Sequence, residues 1–339
     1  MKTIVFFNNK EGIGKARLVY HFTYMLAELG YKNLVADLDP QANLSSIFLS
    51  NKKLQRIYEN ENSRSTILES IDPLNHNISD IRPVHIENIN NNIGLIAGDL
   101  SLSLFEDKFS NSWNNCCNGD KNALITTTSF YRIINEANQR FSADFNIINI
   151  APNFGAINRA ILIAADYVIV PMAVDLFSIQ GLKNLGNSLE AWRSKWNKIY
   201  SKNLEPALPL PSAKMKPLGY IVMKYGIQEE KPVKSYLEWA NSVPQIFNTY
   251  VRREQISNNN ISVESDENCI ASLKHYYSLT PMAMEARKPI FLLKPADGAI
   301  GGHLGAVKTA YKEFKSLTKK VINLIDSDLA NSPNNAQNS

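Results

Sequence analysis

The 339-residue chain has little that would tie it to a membrane or to an oxidising compartment. No apolar run approaches the roughly 20 residues of a spanning helix, and the first residues carry no signal-peptide pattern. Only three cysteines are present, Cys116, Cys117 and Cys269, and their spacing suits neither a zinc site nor a disulfide framework. A reducing cytoplasm is the expected setting. Charge of one sign is also scarce. A net +4 permits contact with DNA or acidic lipid without demanding either. No internal repeat is visible, so solenoids are excluded.

Short apolar runs alternate with helical periodicity, as in a parallel sheet covered on both faces. Strands are expected near 3–7, 33–37, 93–97, 145–150, 167–171 and 218–223. Helices are expected near 18–29, 130–140, 179–196, 233–241 and 304–325, with Gly30 capping the first. The pattern predicts one α/β domain over 1–325, doubly wound on a mostly parallel sheet. Polar insertions interrupt it near 51–92, with a short helix around 66–70, and near 111–120, read as a surface loop. A proline-bearing link is expected at 202–217, and 326–339 reads as a disordered polar tail.

One more absence is chemical. The run Asn9-Lys10-Glu11-Gly12-Ile13-Gly14-Lys15-Ala16-Arg17 lies between the first apolar segment and the first amphipathic one. This is the context of a phosphate-binding loop, whose backbone N–H groups and helix N-terminus cradle an anion while a lysine reaches the terminal phosphates. The residue after Lys15 should carry a hydroxyl to hold magnesium. Ala16 has none. The second strand ends in Asp37-Leu38-Asp39-Pro40-Gln41-Ala42-Asn43, placing two acids at the ligand edge of an open α/β sheet. Asp37 suits a metal's water shell and Asp39 an attacking water, although strand-end acids also serve simply to cap turns. The fourth strand ends in Asn149-Ile150-Ala151-Pro152, where a neutral amide replaces the acid that would complete a metal site.

Together these three segments resemble the ParA/MinD family of deviant-Walker ATPases, a P-loop NTPase architecture of the SIMIBI type. The likeness continues through Val170-Pro171, Phe177-Ser178-Ile179-Gln180-Gly181-Leu182 and Glu285-Ala286-Arg287-Lys288-Pro289-Ile290-Phe291, then Lys294-Pro295-Ala296-Asp297-Gly298. The last stretches are similar to longer plasmid- and phage-type ParA homologues. The resemblance implies ATP or ADP as ligand, a homodimer, a ParB-like partner and nonspecific DNA; no membrane attachment is expected, because the chain ends in a polar Asn-rich tail and not in a basic helix with bulky apolar residues. It also implies that Lys10 reaches a partner's phosphates, Lys15 holds the phosphates in its own loop, and Asp39 activates water. Four positions depart: Glu11 replaces glycine, Ala16 and Arg17 replace hydroxyl residues, and Asn149 replaces the Walker B acid.

The departures predict impaired or absent hydrolysis and an ill-seated magnesium ion, with Asp37 the one remaining acid near its place. Glu11 sets a carboxylate where a triphosphate should lie, and two like charges about 4 Å apart repel by roughly 4 kcal/mol at an effective dielectric near 20. If Glu11 needs a positive φ, backbone strain of about 1 kcal/mol is added. The paired changes also predict that Glu11 folds over the loop onto Lys15 or Arg17, imitating a bound phosphate. A working ATPase with altered metal coordination and a nucleotide-free interaction scaffold remain alternative readings. Near the C-terminus, Lys308, Lys312, Lys315, Lys319 and Lys320 suit either tracking of DNA phosphates or a solvated amphipathic helix.

Overall fold

A computed structural model describes residues 2–59, 65–75, 80–202, 205–224, 234–254, 261–276 and 278–331. Its centre is a sheet formed by β1 (Lys2–Phe6), β2 (Asn33–Leu38), β3 (Glu87–Asn90), β4 (Ile93–Ile96), β5 (Phe145–Ile150), β6 (Tyr167–Met172), β7 (Lys216–Lys224) and β8 (Cys269–Lys274). The order is β3-β4-β2-β5-β1-β6-β7-β8, and every pairing is parallel except β3 with β4. All six expected strands are present. The two unexpected ones are the edges, where apolar runs are weakest: β3 alternates half-buried and exposed residues.

The helices are α1 (Lys15–Glu28), α2 (Asn43–Phe48), α3 (Asn51–Glu59), α4 (Ile67–Asn75), α5 (Glu106–Cys117), α6 (Lys121–Thr127), α7 (Ser129–Phe141), α8 (Ala156–Ile163), α9 (Leu176–Tyr200), α10 (Lys234–Ile246), α11 (Leu279–Ala286) and α12 (Gly302–Ala330). Side chains alternate across the strands and divide the core in two. Val5, Leu34, Ile148 and Val168 face the layer containing α4 to α9, whereas Ile4, Val35, Ile147 and Ile169 face α1 and α12. That is the two-sided burial that continuous apolar strands require. Gly30, at φ 93°, closes α1: Tyr31 N–H donates to Leu26 O at 3.0 Å and Gly30 N–H to Ala27 O at 3.0 Å.

Three expectations need correction. The segment 111–120 is no surface loop, because α5 covers most of it and buries Ser112, Trp113 and Cys116 against the core. The insertion at 51–92 contains α3, α4 and β3, although 60–64 and 76–79 lie outside the described residues. The polar tail begins late: α12 runs on to Ala330, where Asp328 accepts hydrogen bonds from Tyr167 Oη at 2.7 Å and Lys214 Nζ at 2.5 Å and also pairs with Lys216. Polarity there reflects an ion-paired helix end, and 332–339 lie outside the described residues. Among the described residues no helix is long and apolar enough to cross a membrane.

Candidate functional site

The loop from Asn8 to Gly14 leaves β1 at the C-terminal edge of the sheet and feeds directly into α1. Its entry is pinned by Asn8, which donates to Pro171 O at 2.7 Å and accepts from Lys10 N–H at 2.9 Å. The left-handed turns fall on Gly12 at φ 74° and Gly14 at φ 77°, which any side chain would strain. Glu11 is not among the positive-φ residues, so the strain anticipated for it is absent. Gly181 of α9 explains part of its motif: a Cβ there would stand 2.4 Å from Asn9 Oδ1, so glycine lets α9 pack beneath the loop.

A cavity of about 440 Å³ opens over the loop, lined by Lys10 through Arg17 together with Asp39, Gln41, Asn43 and Pro152. All eight predicted loop residues and Asp39 therefore meet around one space. Lys15 is buried, and its ammonium donates to Ile150 O at the tip of β5. Burial pulls its pKa down to about 8 against the raising influence of Asp39 and Asp37. Lys10 makes an ion pair with Asp175, which caps α9 by accepting from Ser178 N–H at 2.9 Å. Partial desolvation raises the Asp175 carboxyl, but the hydrogen bonds and charge of Lys10 and Ser178 outweigh it and leave the pKa below its ordinary value. Glu11 is exposed, and among the described residues it pairs with neither Lys15 nor Arg17. The predicted phosphate mimicry is thus absent: Lys15 points inward to Ile150, and the Arg17 guanidinium lies 3.7 Å from Met284 Sδ.

The Asp37–Asn149 pair behind the loop is arranged differently. Asp37 and Asn149 are register partners at the tips of β2 and β5, and both are fully buried. Asn149 Nδ2 donates to Asp37 Oδ1 at 3.0 Å, while Asp37 Oδ2 accepts from Ser45 N–H at 2.7 Å and Ser45 Oγ at 2.8 Å. Ser45 Oγ in turn accepts from Gly98 N–H at 2.9 Å. Burial raises the Asp37 pKa to about 6, although the Asn149 and Ser45 hydrogen bonds pull the other way. Asp37 is not part of the cavity lining; Asp39 is, with Oδ1 accepting from Gln41 N–H at 3.0 Å.

These residues do not fit a divalent cation. Magnesium favours carboxylate and hydroxyl oxygens in near-octahedral array. Ala16 offers no side-chain oxygen, and both Asp37 oxygens accept hydrogen bonds from protein donors away from the cavity lining. Asn149 Oδ1 is a neutral buried oxygen without a partner among the described residues, and no group of three metal-ligating acids, histidines or cysteines occurs among them.

Sequence reading missed a second cavity of about 330 Å³ beside the first. Arg17, Ser46, Ile47 and Met284 line both, and the second continues along Leu18 and His21 to Met223, Leu273 and Tyr276 at the ends of β7 and β8. The motif around Arg287 builds its wall. Arg287 donates to Leu49 O and to Asn51 Oδ1, the latter at 3.1 Å, and the Ile290 N–H donates to His21 Nε2 at 3.0 Å. Its lining comes from segments far apart in sequence, so no local pattern announced it. On α12, Lys308, Lys312 and Lys319 are exposed, Lys315 lies 5.4 Å from the Tyr311 ring, and Lys320 turns inward to Cys269 O at 2.8 Å. These lysines are remote from the loop's cavity lining.

The comparisons agree with this geometry. A family model described as an AAA domain matches residues 1–202. The uncharacterised protein MJECL24 of Methanocaldococcus jannaschii is 30% identical over 250 residues, covering 73% of this chain and 82% of that protein. The chain spans about half the length of other curated relatives that it matches. Among solved structures, protein DIP2308 of Corynebacterium diphtheriae is similar with a TM-score of 0.71 and 19% identity, over 97% of this chain and 100% of that one. The structure of pNOB8 ParA bound to nonspecific DNA is similar with a TM-score of 0.57 and 17% identity, over 96% and 99%. Loop, strand order and relatives converge: this chain belongs to the AAA-domain family and, within it, to the ParA type.

Proposed function

We propose that this chain is a ParA-like partition or positioning protein that binds nucleotide without turning it over, and that it works as a dimerising or adaptor module. The observation carrying this reading is the contrast at the sheet edge. The cradle is intact and opens onto a cavity with Lys15 at its base, while Asp37 is enclosed by Ser45 and Asn149. ATP or ADP would lay its phosphates over Gly12–Lys15 and its nucleoside in the adjoining cavity of about 330 Å³. Hydrolysis lacks a seat for the cation that neutralises charge in phosphoryl transfer.

In this reading the dimer is a homodimer, a ParB-like protein is the partner, and nonspecific DNA is the track. Lys308, Lys312, Lys315 and Lys319 would contact phosphates from the outward side of α12. Lys10 would leave Asp175 to reach a partner's nucleotide. A second reading, a working ATPase with altered metal coordination, draws on Asp39, which lines the cavity where an attacking water would stand. Calorimetric titration of ATP and ADP, run beside steady-state phosphate release, separates the two. Binding without release supports the proposal; magnesium-dependent release abolished by Lys15→Ala replaces it with the second reading.

A further inference from the structure

Three cations line the phosphate cavity, and two are already engaged. Lys10 is paired with Asp175, and Lys15 is hydrogen-bonded to Ile150 O. Arg17 differs. It is exposed on the first turn of α1, and among the described residues it makes no ion pair and its guanidinium hydrogen-bonds the Met284 thioether alone, at 3.7 Å. A guanidinium with five N–H donors and a single soft neighbour has capacity to spare.

Its place along the groove says which phosphate it would meet. Arg17 lines both cavities, whereas Lys10, Glu11 and Asp39 line the phosphate cavity alone. A nucleotide with its base in the apolar cavity passes Arg17 at the phosphate nearest the sugar. The terminal phosphate then lies at the far end, beside the Glu11 and Asp39 carboxylates. A bound divalent cation would ordinarily bridge the outer two phosphates and offset such repulsion. Here the metal-ligating positions are Ala16 and Asn149.

We infer that Arg17 replaces the divalent cation as the counter-charge of the bound nucleotide by gripping the phosphate nearest the sugar. Diphosphate and triphosphate are consequently held alike, and neither needs magnesium. The inference rests on the nucleotide-binding reading above and adds that the site does not distinguish the two nucleotide states.

The test is isothermal titration of purified full-length protein with ATP and with ADP, each in excess magnesium and in EDTA. Expected dissociation constants agree within about threefold across all four conditions. Arg17→Ala weakens both nucleotides by about tenfold or more, and Arg17→Lys weakens both by less. Matching circular dichroism and melting temperature establish that each variant is folded; Arg17 is exposed, and its truncation leaves the core intact. Magnesium tightening ATP more than about tenfold, or a folded Arg17→Ala variant binding like wild type, overturns the inference while nucleotide binding stands. Failure of wild type to bind either nucleotide under all conditions overturns the nucleotide reading and the inference with it.

Discussion

The glycine-bounded loop and the Asp37–Asn149 pair behind it sit on neighbouring strand tips, yet they respond to sequence change by different physics. The cradle is backbone. The groups it would offer an anion are main-chain N–H donors, held by left-handed Gly12 and Gly14 and by the start of α1. Glu11, Ala16 and Arg17 place their side chains around a loop whose left-handed turns still fall on Gly12 and Gly14. The Asp37–Asn149 pair meets through its side chains, so the amide at 149 donates a hydrogen bond to Asp37 where a second carboxylate would repel it. A main-chain site tolerates substitution; a side-chain site is redefined by it.

The largest effect expected comes from supplying that second carboxylate. Asn149→Asp would press a second carboxylate against Asp37, and repulsion at this spacing is about 4 kcal/mol at an effective dielectric near 20. Urea denaturation at pH 8 should reveal most of that loss. Because burial already holds the Asp37 pKa near 6, stability should recover as pH falls below it. A variant as stable as wild type at pH 8 would remove the contrast between the two regions.

Next comes the cradle itself. Lys15→Ala deletes a charged contact worth roughly 1.5–3 kcal/mol, a ten- to hundredfold loss in affinity for tripolyphosphate or ATP. The melting temperature should not fall with it, since the buried ammonium that is removed was itself paying a desolvation cost. A parallel collapse of stability and affinity would mean Lys15 is a structural residue.

The same lysine predicts a pH dependence. Its folded pKa, about 8, lies below its ordinary value. The folded state therefore sheds its proton before the unfolded state does, and the contribution of Lys15 to stability rises with pH above 8. An anion binds the protonated form, so affinity should fall by up to about tenfold per pH unit once pH passes 8. Titrations in buffers of different ionisation enthalpy should detect proton uptake on binding there; a flat profile to pH 9.5 contradicts the assignment.

The smallest effect lies at the cavity rim. Asp175→Asn cuts the Lys10 ion pair, but both side chains are one-third exposed, so only about 0.2–1 kcal/mol of stability should be lost. Freeing Lys10 should leave affinity unchanged or slightly raised, measured by the same titration. A loss above that range would make the pair a structural element of α9.

Much of this was legible in the chain. The inner strands are apolar on both faces and announce themselves, as does the glycine-bounded loop between β1 and α1. What stayed hidden had no local signature. β3 carries little apolar content, and α5 passed for a loop because its exposed polar residues outnumber Phe109, Trp113 and Cys116, which it buries. Glu11 misled in another way: charge and spacing suggested that it would close over the loop, but only the fold shows Lys15 already bound to Ile150. The second cavity required α1, α2, β7, β8 and α11 to be brought together.

The sequence by itself determined the family, the doubly wound sheet, the position of the glycine-bounded loop, and the presence of Ala16 and Asn149 where the family resemblance leads one to expect a hydroxyl and an acid. Periodicity, turn residues and side-chain chemistry are local properties, readable one segment at a time. Tertiary structure alone decided that Asp37 is enclosed, that Lys10 is paired with Asp175, and that Arg17, without an ion pair among the described residues, stands where two cavities meet. Those outcomes depend on which strand tips and helix ends become neighbours, and burial and charge take their values only from such neighbours.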